Sequence, residues 1–168
     1  MSEFLVISCS LNPDSKSRIL CQEAYEQLSK EHSAEFIDLR DLELPFCDGK
    51  AAYGHPNVAP IATKITNAKC VLLGIPVYNY YANAAAKNLV ELTGRAWTEK
   101  VVGFLCAAGG ANSYMSIMSL ANSLMLDFRC LIIPRFVYSP GDPRDVEVQR
   151  RIAELAEKAA RLTQAIHQ

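Results

Sequence analysis

The stretch Ser8 to Arg18 reads SCSLNPDSKSR and leads straight from an apolar segment into a helical pattern. Ser10, Asn12, Ser15 and Ser17 are short polar side chains able to donate hydrogen bonds, and Lys16 and Arg18 add positive charge. A helix N-terminus leaves backbone N–H groups without partners and carries the positive end of the helix dipole, so the combination suits an anion, phosphate above all. A single serine would read as an ordinary N-cap. Four hydroxyl or amide side chains within eight positions exceed what a cap requires. Asp14 has the wrong charge for this task and is expected to face solvent. Cys9 makes a poor nucleophile for phosphoryl chemistry, which calls for an arginine clamp beside the thiolate. The sixth position after it is Ser15 and the first arginine is Arg18, so Cys9 reads as packing at a strand end.

Two further stretches could complete a site. GIPVYNYYANAAAKNLVEL, Gly74 to Leu92, follows another apolar run. Pro76 fixes the backbone where the chain leaves the run, with Val77 beside it. Tyr78, Tyr80 and Tyr81 offer flat amphipathic surfaces, and Asn79 and nearby amides can hydrogen-bond the rim of a heteroaromatic ring. Tyrosines merely covering a sheet end would explain one or two, whereas three in four positions is more. The third stretch, AAGGANS from Ala107 to Ser113, has Gly109 and Gly110, where missing side chains let a ligand approach the backbone, although a tight turn alone would also use them. The G-x-G-x-x-G and G-x-x-x-x-G-K-[ST] fingerprints are absent. The six cysteines form no C-x-x-C pair and the three histidines are scattered, so no metal site or disulfide framework is expected.

The elements that must hold these loops follow from the apolar pattern. Phe4 to Ser8, Cys70 to Val77, Val101 to Ala108 and Cys130 to Val137 are short continuous apolar runs, as suits strands covered on both faces, while Ala34 to Leu39 alternates. Helical spacing appears at Leu20, Ala24 and Leu28, and at Ala85, Leu89 and Leu92 before Gly94. It recurs at Ile117, Leu120, Leu124 and Phe128, and from about Asp145 through Ile152, Leu155, Ala159 and Leu162. Leu44 to Pro60 reads as a long loop before a short helix. The alternation predicts an α/β, flavodoxin-like, doubly wound five-stranded parallel sheet of order 2-1-3-4-5 with helices on both faces. The alternating second strand and the fifth strand, which carries Pro134, are the expected edges. In that order the topological switch lies between strands 1 and 3, where the first two loops fall. Together the loops describe a phosphate cradle, an aromatic wall and a bare backbone floor, and flavin mononucleotide (FMN) has matching parts.

Bulk properties narrow the reading. The 168 residues suit one domain, 1–168, and half of them are hydrophobic, enough for a core without metal or disulfide staples. A net charge of −1 gives no support for nucleic-acid or membrane-surface binding. No apolar run approaches the ~20 residues that span a bilayer. No signal peptide is seen, and the expected location is a reducing cytoplasm.

Taken together, these segments resemble the NAD(P)H-dependent FMN reductases of the flavodoxin-like fold, a group that includes quinone, chromate and azo-dye reductases. The family's first loop typically reads G-S-x-R-x-x-S-x-N, where this chain has Cys9, Ser10, Leu11, Asn12, Pro13, Asp14, Ser15, Lys16 and Ser17. Its P-x-Y-N segment and following K-N are similar to Pro76 to Asn79 and to Lys87 and Asn88. DLRDLELPFCD, Asp38 to Asp48, resembles its D-L-x-x-L-P-x-[FY] segment. Asn12 stands where the family has Arg, Cys9 where it has Gly, and Tyr80 and Tyr81 where it has small residues. The resemblance implies that Ser10, Asn12, Ser15, Lys16 and Ser17 hold the FMN phosphate. It likewise implies that Pro76, Val77, Tyr78, Asn79 and Tyr80 line the isoalloxazine and that Ala108, Gly109, Gly110 and Ser113 flank its pyrimidine side. It further implies NAD(P)H as donor, a small-molecule acceptor, ping-pong order, no catalytic acid or base, and a homodimer or homotetramer whose neighbour completes the pocket. Tyr114, Met115, Met118 and Met125 could contribute to such a surface, with core packing the simpler expectation. The rival readings are a flavodoxin-like electron carrier, which a −1 charge suits poorly, and a relative of the fold without flavin.

Overall fold

The computed structural model describes residues 2–167. Strands β1 (Phe4–Ser8), β2 (Ala34–Asp38), β3 (Cys70–Tyr78) and β5 (Val101–Ala107) are joined by helices α1 (Lys16–Ser29), α2 (Val58–Asn67) and α3 (Ala84–Thr93). Between β3 and α3 a two-residue strand β4 (Tyr81–Ala82) folds back antiparallel on β3. Helix α4 (Met118–Phe128), the short strands β6 (Leu131–Ile132) and β7 (Val137–Ser139), and helix α5 (Val146–Ile166) complete the chain. The parallel order is β2-β1-β3-β5, with β6 and β7 both paired to the far side of β5. This is the doubly wound, flavodoxin-like arrangement the alternation predicts.

Continuous apolar strands arise because both faces are covered. Leu5, Ile7, Leu73, Ile75, Val102 and Phe104 point toward Ile61 and Ile65 of α2, Leu89 of α3 and Leu120 and Leu124 of α4. Phe4, Val6, Leu72, Val101 and Leu105 point the other way, toward Leu20, Ala24 and Leu28 of α1 and Ile152, Leu155 and Ala159 of α5. Each helix offers the apolar residues that its 3.6-residue period places on one side. Helix α3 stops at Gly94, whose φ of 42° a side chain would resist.

The expected fifth strand, Cys130 to Val137, is not continuous. It breaks between β6 and β7, where Pro134 has no N–H to donate and Arg135 adopts a φ of 58°. The two halves nevertheless pair with the two ends of β5, Val101 and Val102 at one end and Leu105 to Ala107 at the other. Among the described residues no helix is long and apolar enough to cross a membrane.

Candidate functional site

The carboxyl ends of β1, β3 and β5 carry the three loops, and an open cleft of about 260 Å³ lies between them. Ser10, Asn12, Ser15, Lys16 and Ser17 line one side, Pro76, Val77 and Tyr78 a second, and Ala108 and Gly109 a third. Of the residues expected at the site, Asn79, Tyr80, Gly110 and Ser113 lie beyond the lining. Ala107 and Asp14 join it unexpectedly; Asp14 is exposed, as expected, but at the cleft rim.

The first loop is shaped by its own side chains. Ser15 is the N-cap of α1, its Oγ accepting from the Arg18 amide at 3.1 Å and lying 3.1 Å from Ser17 Oγ. Ser10 Oγ accepts from the Asn12 amide at 3.3 Å, and Asn12 Oδ1 accepts from the Asp14 amide at 2.9 Å. Ser10, Ser15 and Ser17 are all buried. Ser10 and Ser15 each already accept one backbone N–H inside the loop, while the Ser10 hydroxyl proton, one proton of the Ser15–Ser17 pair and the Asn12 side-chain NH2 remain to donate. A donor set of this kind at a helix N-terminus matches a group that only accepts, such as a phosphate. Lys16 reaches across to the Gly141 carbonyl at 3.1 Å, tying α1 to the segment after β7.

Arg18 does not join the cradle, contrary to the reading of its charge. Its Nε donates to Asp38 Oδ2 at 2.7 Å, and Arg40 donates to the same oxygen through Nη2 at 2.7 Å and Nε at 3.0 Å. Burial pushes the Asp38 carboxyl up, but hydrogen bonds from the Arg40 side chain and amide and from Arg18 more than offset this, leaving it below its ordinary value. Cys9 is fully buried, which raises its thiol far above the ordinary value, with the Asp38 charge adding to the effect. It is packing at the strand end and supplies no thiolate.

The second loop is a hairpin. Val77 faces Ala82 and Tyr78 faces Tyr81, and the two residues between, Asn79 and Tyr80, have φ of 50° and 63°. Both lie in the left-handed region that a two-residue type I′ hairpin requires. Tyr78, Tyr80 and Tyr81 are each about half exposed. Asn83 Nδ2 donates to the Cys9 carbonyl at 2.7 Å and so ties this loop to the first, while its buried Oδ1 has no partner. Asn88 clamps the segment after β2, accepting from the Cys47 amide at 2.8 Å and donating to the Pro45 carbonyl at 2.9 Å. That contact gives the K-N pair a positional role. Nothing in the local sequence marks Asn83, and Asn88 stood out only through the family pattern.

The third loop is held from β7, with the Tyr138 hydroxyl donating to the Gly110 carbonyl. Tyr114 stacks on Phe136 with ring centroids 4.8 Å apart. Met115, Met118 and Met125 are exposed, not core, because they fall on the outer side of α4 and of the turn before it, opposite the buried Leu120 and Leu124. A larger hollow of about 600 Å³ lies near the last turns of α5, lined by Pro134, Lys158, Arg161, Leu162, Gln164 and Ala165, away from these loops.

A doubly wound parallel sheet with a cleft among the strand-end loops at its switch point defines the flavodoxin-like class of protein. Within it, the family profile described as NADPH-dependent FMN reductase matches residues 2–144, and this chain belongs to that family. It is 27% identical over 140 residues to an NAD(P)H-dependent FAD/FMN reductase of Geobacillus thermodenitrificans, covering 78% of this chain and 76% of that one. It is 26% identical over 152 residues to a protein of Oryza sativa subsp. japonica called probable NADPH:quinone oxidoreductase 1, covering 81% and 75%. The solved structure of an oxidoreductase from Corynebacterium diphtheriae superposes with a TM-score of 0.80 at 19% identity, covering 98% of each chain. The protein is therefore an oxidoreductase whose chemistry is flavin-dependent oxidation of NAD(P)H, with FMN as its flavin.

Proposed function

We propose that the cleft holds FMN by its phosphate at the loop Ser10 to Ser17, and that electrons pass from NAD(P)H to a quinone, flavin, azo or similar small acceptor in ping-pong order. The observation that carries this reading is the set of buried serine hydroxyls at the N-terminus of α1, with Ser10 and Ser15 each already accepting a backbone N–H of the loop and hydroxyl protons left to donate. Ser10 and the Ser15–Ser17 pair, which has one proton free, donate to the phosphate, Asn12 offers its side-chain NH2, and Lys16 adds positive charge. A cleft of about 260 Å³ falls below the ~300–1,000 Å³ of pockets that enclose a whole drug-sized ligand. It would take the phosphate and the flexible chain, and Pro76, Val77, Tyr78, Asn79 and Tyr80 would hold the ring. Ala108, Gly109, Gly110 and Ser113 would flank its pyrimidine side, where backbone amides could polarise the ring.

Bound FMN supplies the hydride-accepting and hydride-donating chemistry. The protein's residues hold it, orient it and leave one mouth open. A single open face serves donor and acceptor in turn, which is the basis for ping-pong order, and no side-chain acid or base is needed. The quinone acceptor is supported by the name of the rice relative. The exposed Tyr114, Met115, Met118 and Met125 form an apolar face suited to a second copy of the chain. Among the described residues all cysteines are free, and all but Cys47 are buried.

The test is a visible spectrum of the purified protein with and without added FMN, followed by NADH and NADPH oxidation with a quinone or azo dye. Flavin binding with donor oxidation is expected, and parallel lines in double-reciprocal plots would establish ping-pong order. Lack of binding at micromolar FMN sinks the reading. Bound flavin without nicotinamide oxidation points instead to an electron carrier.

A further inference from the structure

Asp38 is the last residue of β2 and lies in register with Ser8, the last residue of β1. Its side chain is only 3% exposed and is absent from the cleft lining, as are Arg18 and Arg40. The hydrogen bonds it accepts from the Arg18 and Arg40 side chains lead back to the first loop. Through Oδ2 it holds Arg18 at 2.7 Å, in the first turn of α1, and the Arg18 amide is the one capped by Ser15. Through both oxygens it holds Arg40, by its amide at 3.1 Å and by its guanidinium at 2.7 and 3.0 Å. Arg40 then uses Nη1 to donate to the Pro13 carbonyl at 3.2 Å, in the middle of the loop. One carboxylate therefore grips the cradle at two points, the loop apex and the helix start. The three ionised side chains sum to one positive charge just outside a site that the family usually equips with an arginine and that here has Asn12.

We propose that Asp38 is a positioning residue for the phosphate end of the cleft, fixing the anion-binding loop through Arg18 and Arg40 without touching the ligand. The proposal rests on the reading that this loop takes the FMN phosphate. A carboxylate needed only to finish β2 or cap the turn Leu39–Asp41 would require the Arg40 amide and nothing further. Arg18 also lies over the Phe36 ring of β2, 5.6 Å from its centroid, but the extension through Arg40 to the Pro13 carbonyl has no use in β2 itself. It holds donor groups in place before the ligand arrives, which lowers the ordering cost of binding.

The experiment compares FMN with riboflavin, which lacks the phosphate but keeps the ring and chain. Wild-type protein, Asp38→Asn, Arg40→Ala and Arg40→Lys are titrated with each flavin by fluorescence quenching, and each is melted without ligand. In Asp38→Asn and Arg40→Ala, FMN affinity is expected to fall on the order of tenfold, the effect of losing a hydrogen bond to a charged group. Riboflavin affinity should stay unchanged, and Arg40→Lys should recover part of the FMN affinity. Equal losses for both flavins, or no loss for FMN, overturn the proposal. If Asp38→Asn does not fold, the partly exposed Arg40 variants decide. Wild-type protein that binds riboflavin as tightly as FMN overturns the phosphate reading itself, and the proposal with it.

Discussion

Tyr80 holds a φ of 63° at the tip of the β3–β4 hairpin, where bulky residues are rare and a left-handed backbone costs about 1–2 kcal/mol. Such strain persists only where surrounding structure imposes it. Here two cross-strand pairs impose it and set Tyr78 in the cleft lining, with half-exposed Tyr80 and Tyr81 beyond it. Replacing Tyr80 by glycine and by alanine removes the same ring, so the difference between the variants reports the backbone alone. Tyr80→Gly should exceed Tyr80→Ala in stability by about 1 kcal/mol; equal urea midpoints would mean the turn is relaxed. Asp38 gives a second prediction. Its folded carboxyl lies below the ordinary value, so its ionised form stabilises the fold above that value, and the contribution is lost as pH falls through the depressed folded value. The stability gap between wild type and Asp38→Asn should be full at pH 7 and shrink below about pH 4. Urea unfolding at pH 7, 5 and 3 measures it, and a constant gap would contradict the ion-pair account.

Helix α1 carries the cradle, so its seat on the sheet matters as much as its sequence. It packs directly over β3 at Gly74, where an added Cβ would come within 2.0 Å of Cys21 Sγ and 3.2 Å of the Ser17 carbonyl. The absence of a side chain there lets the helix start close to the strand ends and places Ser15 and Ser17 at the cleft. Gly74→Ala should destabilise by about 3 kcal/mol or more, as overpacking does when backbone blocks relaxation. Adding Cys21→Ala should return part of the stability, since the sulfur is the nearer obstacle, while the Ser17 carbonyl remains. Thermal or urea denaturation of the single and double variants checks this; an unchanged midpoint for Gly74→Ala would mean that α1 is free to shift. The hairpin and the break between β6 and β7 show a second feature at this scale. Neither has a turn dipeptide such as Asn-Gly, and each depends on non-glycine residues at positive φ, Asn79 and Tyr80 in one and Arg135 in the other.

For the molecule as a whole, binding and stability are linked. A ligand that binds only the folded protein raises its stability by mass action, about 2.7 kcal/mol at a hundred times its dissociation constant. Saturating FMN should therefore raise the melting temperature by several degrees, as a chain of this length moves roughly 2–4 °C per kcal/mol. Riboflavin should raise it less, because it leaves the serine donors unengaged. Scanning fluorimetry with both flavins is the measurement, and identical shifts would deny the cradle a phosphate.

The sequence by itself determined β1, β2, β3 and β5 and their alternation with helices, though neither β4 nor the break between β6 and β7, because a strand buried on both faces must be apolar throughout and a helix buried on one side must repeat every three to four residues. From those elements the switch point and the serine loop follow, and with them most of the cleft lining. The pattern could not say which way a long side chain turns. Arg18 is as basic as Lys16, but only the position of Asp38 at the end of β2 draws it out of the cradle. Met115, Met118 and Met125 carry the same hydrophobic signal as core residues, and only the packing of α4 turns them outward. Asn83 and Asn88 become structural clamps because tertiary contacts bring Cys9, Pro45 and Cys47, distant in the chain, within hydrogen-bond reach. Local periodicity records which face of an element is buried; long-range contacts decide what each polar side chain finds there.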